Sequence, residues 1–313
     1  MSDYIVGSFN IQHLNYTKDF EKLAEIIKSE GFDVVAIQEA RSKGAVERLV
    51  MELNNNYWDY AFPFGNEEYA FIWKNRRIKL LELPNNKENP QIVSGYHYRK
   101  SIGEVRLVRP PFIGYFTAQG TYGGCNFDLR LINTHIAFSK PSYAPDEVGT
   151  IDARRNELSI LARDIYGSVS DRVLGSMRSI FTVLLGDYNL VLEGIGPKLL
   201  KAGYTYEIKN GKQMVFKQTE KTTLKRPVDS EDDTSSDEDR IESKAQQKYI
   251  EGSEDYYSMN FDHFGYDNSL ESKYVIECTR VDALSYIDEE EVLKSYRDKV
   301  SDHVPIKLEI TLK

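Results

Sequence analysis

Five short segments in this chain each place polar, chemistry-bearing side chains in or just after an apolar run. They are Ser8-Phe9-Asn10, Ile37-Gln38-Glu39, Ile132-Asn133-Thr134-His135, Leu185-Gly186-Asp187-Tyr188-Asn189 and Ser301-Asp302-His303. Runs such as Tyr4-Ile5-Val6 and Val34-Val35-Ala36-Ile37 are short and continuous, the pattern of strands buried on both faces. Carboxylates, amides and imidazoles this far apart in sequence act together only if the fold gathers strand ends in one place. No other feature restricts the architecture as strongly.

The pattern between the rungs is consistent with that demand. Strands are expected at 4–11 and 33–39, separated by a helix capped by Thr17, with Phe20, Leu23, Ala24 and Ile27 on one face and Gly31 at its end. A second helix is expected over 43–53. The period then shortens: Tyr69–Trp73, Ile78–Leu83, Gln91–Tyr98, Glu104–Ala118 and Asn126–Ile136 read as strands separated by turn residues, which favours antiparallel pairing. Residues 150–166 return to helical spacing, Phe181–Leu185 reads as a buried strand, and Val275–Cys278 and Pro305–Leu312 close the chain. Helix-then-sheet blocks in each half predict two packed sheets with helices outside.

Composition removes several classes. No apolar run is long enough to span a bilayer. No basic-then-apolar leader precedes the first strand, which predicts a cytoplasmic protein without membrane association. Two cysteines, Cys125 and Cys278, suit a reducing compartment better than a disulfide framework. Net charge is −9, but seven acids fall between Asp229 and Asp239 with no base among them, so the remainder is nearly neutral. Composition predicts a mobile acidic insertion at about 218–258 within a single, monomeric domain spanning 1–313.

Taken singly, each rung has a plain structural reading as a loop or turn. Taken together they offer a hard oxygen ligand in Glu39, an imidazole after a strand in His135, and an acid and an amide two residues apart in Asp187 and Asn189. Asp302 and His303 add a carboxylate beside a second imidazole. Such groups can bind metal, orient water and donate to a developing oxyanion.

In their order and spacing, the five rungs resemble the endonuclease/exonuclease/phosphatase superfamily, and within it DNase I-like proteins, over residues 4–210 and 259–312. Other segments extend the likeness: Ile37-Gln38-Glu39-Ala40-Arg41, Glu67-Glu68-Tyr69-Ala70-Phe71, Arg109-Pro110-Pro111 and Phe261-Asp262-His263-Phe264. The resemblance implies a four-layer α/β sandwich with two central, mainly antiparallel β-sheets flanked by helices, and a site at one end of the sheets. It implies Mg2+ held by Glu39 with Asn10 and Asp302, with Mn2+ or Ca2+ in support. It implies imidazole–carboxylate pairs Glu67–His135 (Glu68 if the alignment slips by one) and Asp262–His303. One imidazole would deprotonate water, a role assigned to His303, and the other would protonate the leaving oxygen. Asp187 would orient the nucleophile or metal, Asn189 and Arg109 would stabilise the phosphoryl charge, Arg41 would enter a DNA groove, and Arg154 would be structural.

Within the superfamily, Asn133-Thr134-His135 resembles DNase I, sphingomyelinases and inositol polyphosphate phosphatases more than abasic-site endonucleases. Leu190-Val191 after Gly186-Asp187-Tyr188-Asn189 departs from the inositol phosphatases. The resemblance therefore implies a DNA endonuclease. A phosphomonoesterase or phospholipid phosphodiesterase is the alternative, and a non-catalytic binding protein a remote one. Two basic clusters, Arg99, Lys100, Arg106 and Arg109, and Lys74, Arg76, Arg77 and Lys79, are either phosphate contacts or solvated edges. The acidic insertion is either a solubilising loop or a polyanion competing with DNA.

Overall fold

A computed structural model describes residues 4–63, 68–81, 91–92, 97–100, 103–120, 125–139, 149–173, 178–192, 205–207, 213–218, 220–224, 256–288 and 292–313. Strand and helix alternate first: β1 (Tyr4–Asn10), α1 (Phe20–Ser29), β2 (Val34–Gln38), α2 (Lys43–Leu53), β3 (Trp58–Ala61) and β4 (Tyr69–Lys74). Strands β5 (Ile78–Leu80), β6 (Gln91–Ile92), β7 (His97–Lys100), β8 (Gly103–Arg106), β9 (Phe112–Gln119) and β10 (Cys125–His135) follow. Helix α3 (Thr150–Ile160) runs through a π-helical turn (Leu161–Ile165) into a last helical turn (Tyr166–Ser170). The chain closes with β11 (Ser179–Asp187), β12 (Thr205–Glu207), β13 (Gln213–Gln218), β14 (Asp262–Asp267), β15 (Tyr274–Arg280), a helix at Val292–Lys299 and β16 (Ile306–Leu312).

The strands form two main sheets. One has the order β15-β16-β1-β2-β4-β3; the other runs β12-β13-β14-β11-β10-β9-β5, with β6 also on β9. Pairing is antiparallel except for β1 with β2 and β10 with β11. The two-residue period of a strand decides which layer each side chain joins. Val34 and Ala36 point between the sheets with Phe71, Phe116, Leu129, Val183 and Leu308. Val35 and Ile37 point the other way, against Leu23, Ile27 and Leu49 of α1 and α2. Ile132 and Leu184 meet Leu158 and Ile165 on the far side. Both faces of the central strands are covered, which is why they read as unbroken apolar runs, whereas β15 and β16 alternate and leave one face open. This is the expected four-layer sandwich.

Several boundaries differ from the sequence reading. Asp19, not Thr17, caps α1: its Oδ1 accepts from the backbone N–H of Lys22 at 2.9 Å. The strand expected at Gln91–Tyr98 falls on β6 and β7, with 93–96 outside the described residues, and the one expected at Glu104–Ala118 is β8 and β9. Pro110-Pro111 lies between β8 and β9, where missing N–H groups cannot serve a ladder. The stretch assigned by composition to an insertion is too wide at both ends. Thr223 bridges His303, Leu224 bridges Tyr257, and Thr222 is fully buried. Asp229–Asp239 lies outside the described residues.

Candidate active site

Pairing direction brings the rungs together. β1 and β2 are parallel, with Asn10 opposite Gln38, so Asn10 and Glu39 emerge at the same edge. β10 and β11 repeat the arrangement in the other sheet, with His135 opposite Asp187. Antiparallel β14 begins where β11 ends, setting Asp262 against Asp187. β16 runs back along β1, so Ser301-Asp302-His303 arrives where β1 finishes. There Ser301 Oγ donates to the Asn10 carbonyl at 2.7 Å and accepts from the His303 N–H at 3.0 Å.

Buried amides pin the sheets together at this end. Gln38 Nε2 donates to Asn133 Oδ1 at 2.7 Å, and Asn133 Nδ2 donates to the carbonyls of Ile37 (2.9 Å) and Ala70 (3.2 Å). The His135 N–H donates to Tyr69 Oη at 3.0 Å. Gly186 has φ +141°, and a Cβ there would stand 1.8 Å from the Thr134 carbonyl oxygen, so β11 reaches β10 beside Asp187 only through a glycine. Glu39 and Asn189 take left-handed φ values of 59° and 49°. For residues other than glycine that is stored strain of a kind concentrated at functional sites.

Asp187 is the centre of the cluster. Its Oδ2 accepts from Asn10 Nδ2 at 3.0 Å and its Oδ1 from the Asn189 N–H at 2.8 Å. His135 Nε2 is 3.5 Å from Oδ2 and His303 Nε2 3.8 Å from it, so both imidazoles converge on one carboxylate oxygen. Behind His303, Asp262 Oδ2 lies 2.9 Å from Nδ1 and accepts from Thr222 Oγ1 at 2.6 Å. Asp302 Oδ1 is 4.0 Å from His303 Nε2.

Burial pushes the Asp187 carboxyl up to about 7, against the pull of His303. Burial also works against a charged His303, but the carboxylates of Asp262 and Asp187 outweigh it and push that imidazole up to about 10. His135 goes the other way. Burial, reinforced by the Arg109 and His303 charges, holds it well below the ordinary histidine range. The two imidazoles are thus pushed in opposite directions by their surroundings.

Glu39 and Asn10 meet as the sequence expects: Asn10 Nδ2 lies 3.3 Å from Glu39 Oε1, and Asn10 Oδ1 accepts from the Gln12 N–H at 3.0 Å. Glu39 Oε1 is 4.0 Å from His135 Nε2. Arg109 is near enough to His135 to disfavour its charged form, and its Nη1 is buried with no hydrogen-bond partner among the described residues. Such an orphaned cationic donor suits an anionic ligand. Arg41 is at the rim, half exposed and paired with Glu68 at 3.2 Å. Glu67 lies outside the described residues. Arg154 binds backbone: Nη1 donates to the Asn189 carbonyl at 2.8 Å, and Nε and Nη2 donate to the Phe138 carbonyl.

The two basic clusters part ways. Lys74 and Arg77 are engaged by Asp33, at 3.7 and 3.4 Å, just before β2 and at the opposite end of that strand from Glu39. Arg99, Lys100 and Arg106 fall on the β7–β8 ribbon. Three site residues carried no clear signal in the sequence. Thr222 was hidden in the polar stretch before the acidic run. Lys18 is buried near Asp302 and Glu39, burial lowering its pKa and those carboxylates raising it. His13 sits three residues past Asn10, its Nδ1 2.7 Å from Glu39 Oε2.

The donor chemistry fits a divalent cation. Glu39 and buried Asp187 and Asp302 lie within about 4 Å of the two imidazoles, with buried Asp262 behind His303, and such a concentration of carboxylates is a charge pattern a divalent ion neutralises. No group of three or more His, Cys, Asp or Glu forms a ready-made cage among the described residues. Magnesium sites built on one or two carboxylates plus phosphate oxygens need none.

No family model matches the sequence. A deoxyribonuclease of Thioalkalivibrio sp. (strain K90mix) is 26% identical over 202 residues, covering 61% of this chain and 47% of that protein. The chain thus spans about half the length of the curated relative it matches. Among solved structures, an endonuclease/exonuclease/phosphatase from Bacteroides vulgatus superposes with TM-score 0.54 at 12% identity, covering 100% of both chains. The Bacteroides thetaiotaomicron VPI-5482 mannosyl-6-phosphatase Bt3783 gives 0.53 at 13%, covering 98% of this chain and 99% of its own. D. rerio TDP2 complexed with single strand DNA product gives 0.53 at 13%, covering 98% of each. The chain therefore shares the fold of these solved structures, an endonuclease/exonuclease/phosphatase protein among them.

Proposed function

We propose that this protein is a metal-assisted phosphodiesterase that cleaves DNA internally. The observation that carries the reading is the convergence of His135 and His303, one from each sheet, on one oxygen of buried Asp187, with Asp262 behind one of them. Two imidazoles in opposite protonation states supply an acid and a base at one phosphorus.

Glu39 would hold Mg2+, with Asn10 contributing the second lone pair of its Oδ1 and Asp302 a further carboxylate; Mn2+ or Ca2+ would substitute. The ion would neutralise phosphoryl charge and make a bound water more acidic. Neutral His135 takes the proton of the attacking water, and Asp187 fixes that water's orientation. His303, kept as imidazolium by Asp262 Oδ2 at 2.9 Å, gives its proton to the leaving oxygen. These roles reverse the order suggested by sequence resemblance, because Asp262 and Asp187 both stabilise charge on His303. The Arg109 guanidinium binds a phosphoryl oxygen. Asn189 Nδ2 already donates to the Ile136 carbonyl at 2.8 Å, and its longer contact, 3.4 Å to Asp187, is the one a phosphoryl oxygen replaces.

A nucleic-acid substrate is supported by the relative named deoxyribonuclease and by the neighbour bound to a DNA product. A small phosphate ester is the second reading. It is favoured by the engagement of Lys74 and Arg77 away from the site, which leaves fewer cations for a long duplex. Supercoiled plasmid, RNA, inositol phosphates, sugar phosphates and sphingomyelin, each incubated with Mg2+ or with EDTA, separate the two. Metal-dependent nicking, lost in Glu39→Ala and His135→Ala, is the expected result. Hydrolysis of only the small or lipid phosphates would reject the endonuclease.

A further inference from the structure

The sequence reading left His13 out, yet it touches the residue expected to hold the metal. Its Nδ1 is 2.7 Å from Glu39 Oε2, and its backbone N–H donates to the same oxygen at 3.2 Å. The loop carrying it is fixed on both sides: the Ile11 N–H donates to the Gln38 carbonyl at 3.2 Å and the Leu14 N–H to the Glu39 carbonyl at 2.9 Å. Gln12 and His13 take left-handed φ values of 34° and 59°, and Glu39 one of 59°. Three strained residues thus hold an imidazole against one carboxylate. The His13 side chain is half exposed (48%), whereas that of Glu39 is largely enclosed (15%), so the pair forms the outer wall of the site.

The two oxygens of Glu39 consequently have different jobs. Oε2 accepts from the His13 backbone N–H and lies 2.7 Å from its Nδ1. Oε1 faces inward, 3.3 Å from Asn10 Nδ2 and 4.0 Å from His135 Nε2. A carboxylate that ligates through one oxygen is held in place by hydrogen bonds to the other. We propose that His13 is a positioning residue for the metal: it locks Glu39 so that Oε1 alone is presented to a cation. The proposal rests on the metal-assisted reading above. A surface ion pair with no such role would be worth little to the fold and nothing to metal binding.

The test is Mn2+ binding, read from the electron paramagnetic resonance signal of the free ion, on the full chain. His13→Gly removes the imidazole and tolerates φ 59° without strain. His13→Asn places an amide N–H where Nδ1 stood and accepts the same φ. Loss of an outer partner to a metal ligand weakens binding about 10–100-fold, which is the expectation for His13→Gly. His13→Asn should restore most of it, and thermal midpoints in EDTA should match for all three proteins. Wild-type affinity or tighter binding in His13→Gly would overturn the proposal. No recovery in His13→Asn would also overturn it, pointing instead to direct ligation by the imidazole. A wild-type protein that binds no Mn2+ would overturn the metal-assisted reading itself, a different failure.

Discussion

Asp262→Asn is the most direct probe of the site, because it keeps the shape of the side chain and removes only its charge. Asp262 Oδ2 accepts from Thr222 Oγ1 at 2.6 Å and lies 2.9 Å from His303 Nδ1, all within the buried end of the sandwich. The amide oxygen can accept both of these bonds, but it gives no charge to balance an imidazolium. At other Asp–His pairs the same change lowers kcat by about 10^4-fold, equivalent to about 5 kcal/mol of barrier. Here Asp187 still faces His303 at 3.8 Å and offsets part of the loss, so about 10^3-fold is expected. Breaking a buried charge pair also costs about 3–5 kcal/mol of stability, against a typical total of about 5–15 kcal/mol, so the variant should remain folded at 25 °C. Single-turnover cleavage, substrate affinity measured in EDTA and a urea melt together separate the effects. A rate within about tenfold of wild type, in a folded variant, would refute the pairing as the source of catalysis.

Gly186→Ala should cost more than about 3 kcal/mol, seen as a lower urea midpoint, because its Cβ would meet the Thr134 carbonyl at 1.8 Å in a backbone region closed to alanine; an unchanged midpoint would show that β10 and β11 are not so closely apposed. Stability in EDTA should fall as pH rises above about 7, beyond the range in which the depressed His135 and His263 gain stability with pH. His303, raised to about 10, contributes stability that is complete below its ordinary value of 6.5 and is lost as pH climbs through 10. Glu157, pushed up to about 7 by burial, loses its contribution earlier, between its ordinary 4.5 and 7. Urea midpoints that stay flat from pH 7 to pH 10 would contradict the His303 reading, and Asp262→Asn should flatten that range.

The sandwich was legible because its strands announce themselves locally. Val34-Val35-Ala36-Ile37 needs no partner to be recognised as a strand covered on two faces, and Asn10, Glu39, His135, Asp187 and His303 stand out as polar residues where such runs stop. Cap identity was less legible. Thr17 and Asp19 are both competent N-caps, and the choice between them depends on the chain path before α1, where the Asp19 N–H donates to the Lys299 carbonyl at 2.8 Å. Thr222 was invisible for a different reason. Composition over 218–258 is dominated by the acidic run, and one threonine in polar company says nothing about a carboxylate 40 residues away.

What the sequence determined alone is the kind of chemistry and its mounting: oxygen and nitrogen donors at strand ends, on a chain whose apolar periodicity demands two covered sheets. The tertiary structure decided everything that depends on who stands next to whom. His135 and His303 are the same side chain in sequence. Packing made one a buried neighbour of Arg109, with its proton affinity lowered, and the other a neighbour of Asp262 and Asp187, with its proton affinity raised. His13 is an ordinary loop residue until the turn after β1 folds its imidazole onto Glu39. Proton affinity and ligand geometry are set by charges and dipoles within a few ångströms, and those distances are fixed only when parallel β1–β2 and β10–β11 end side by side.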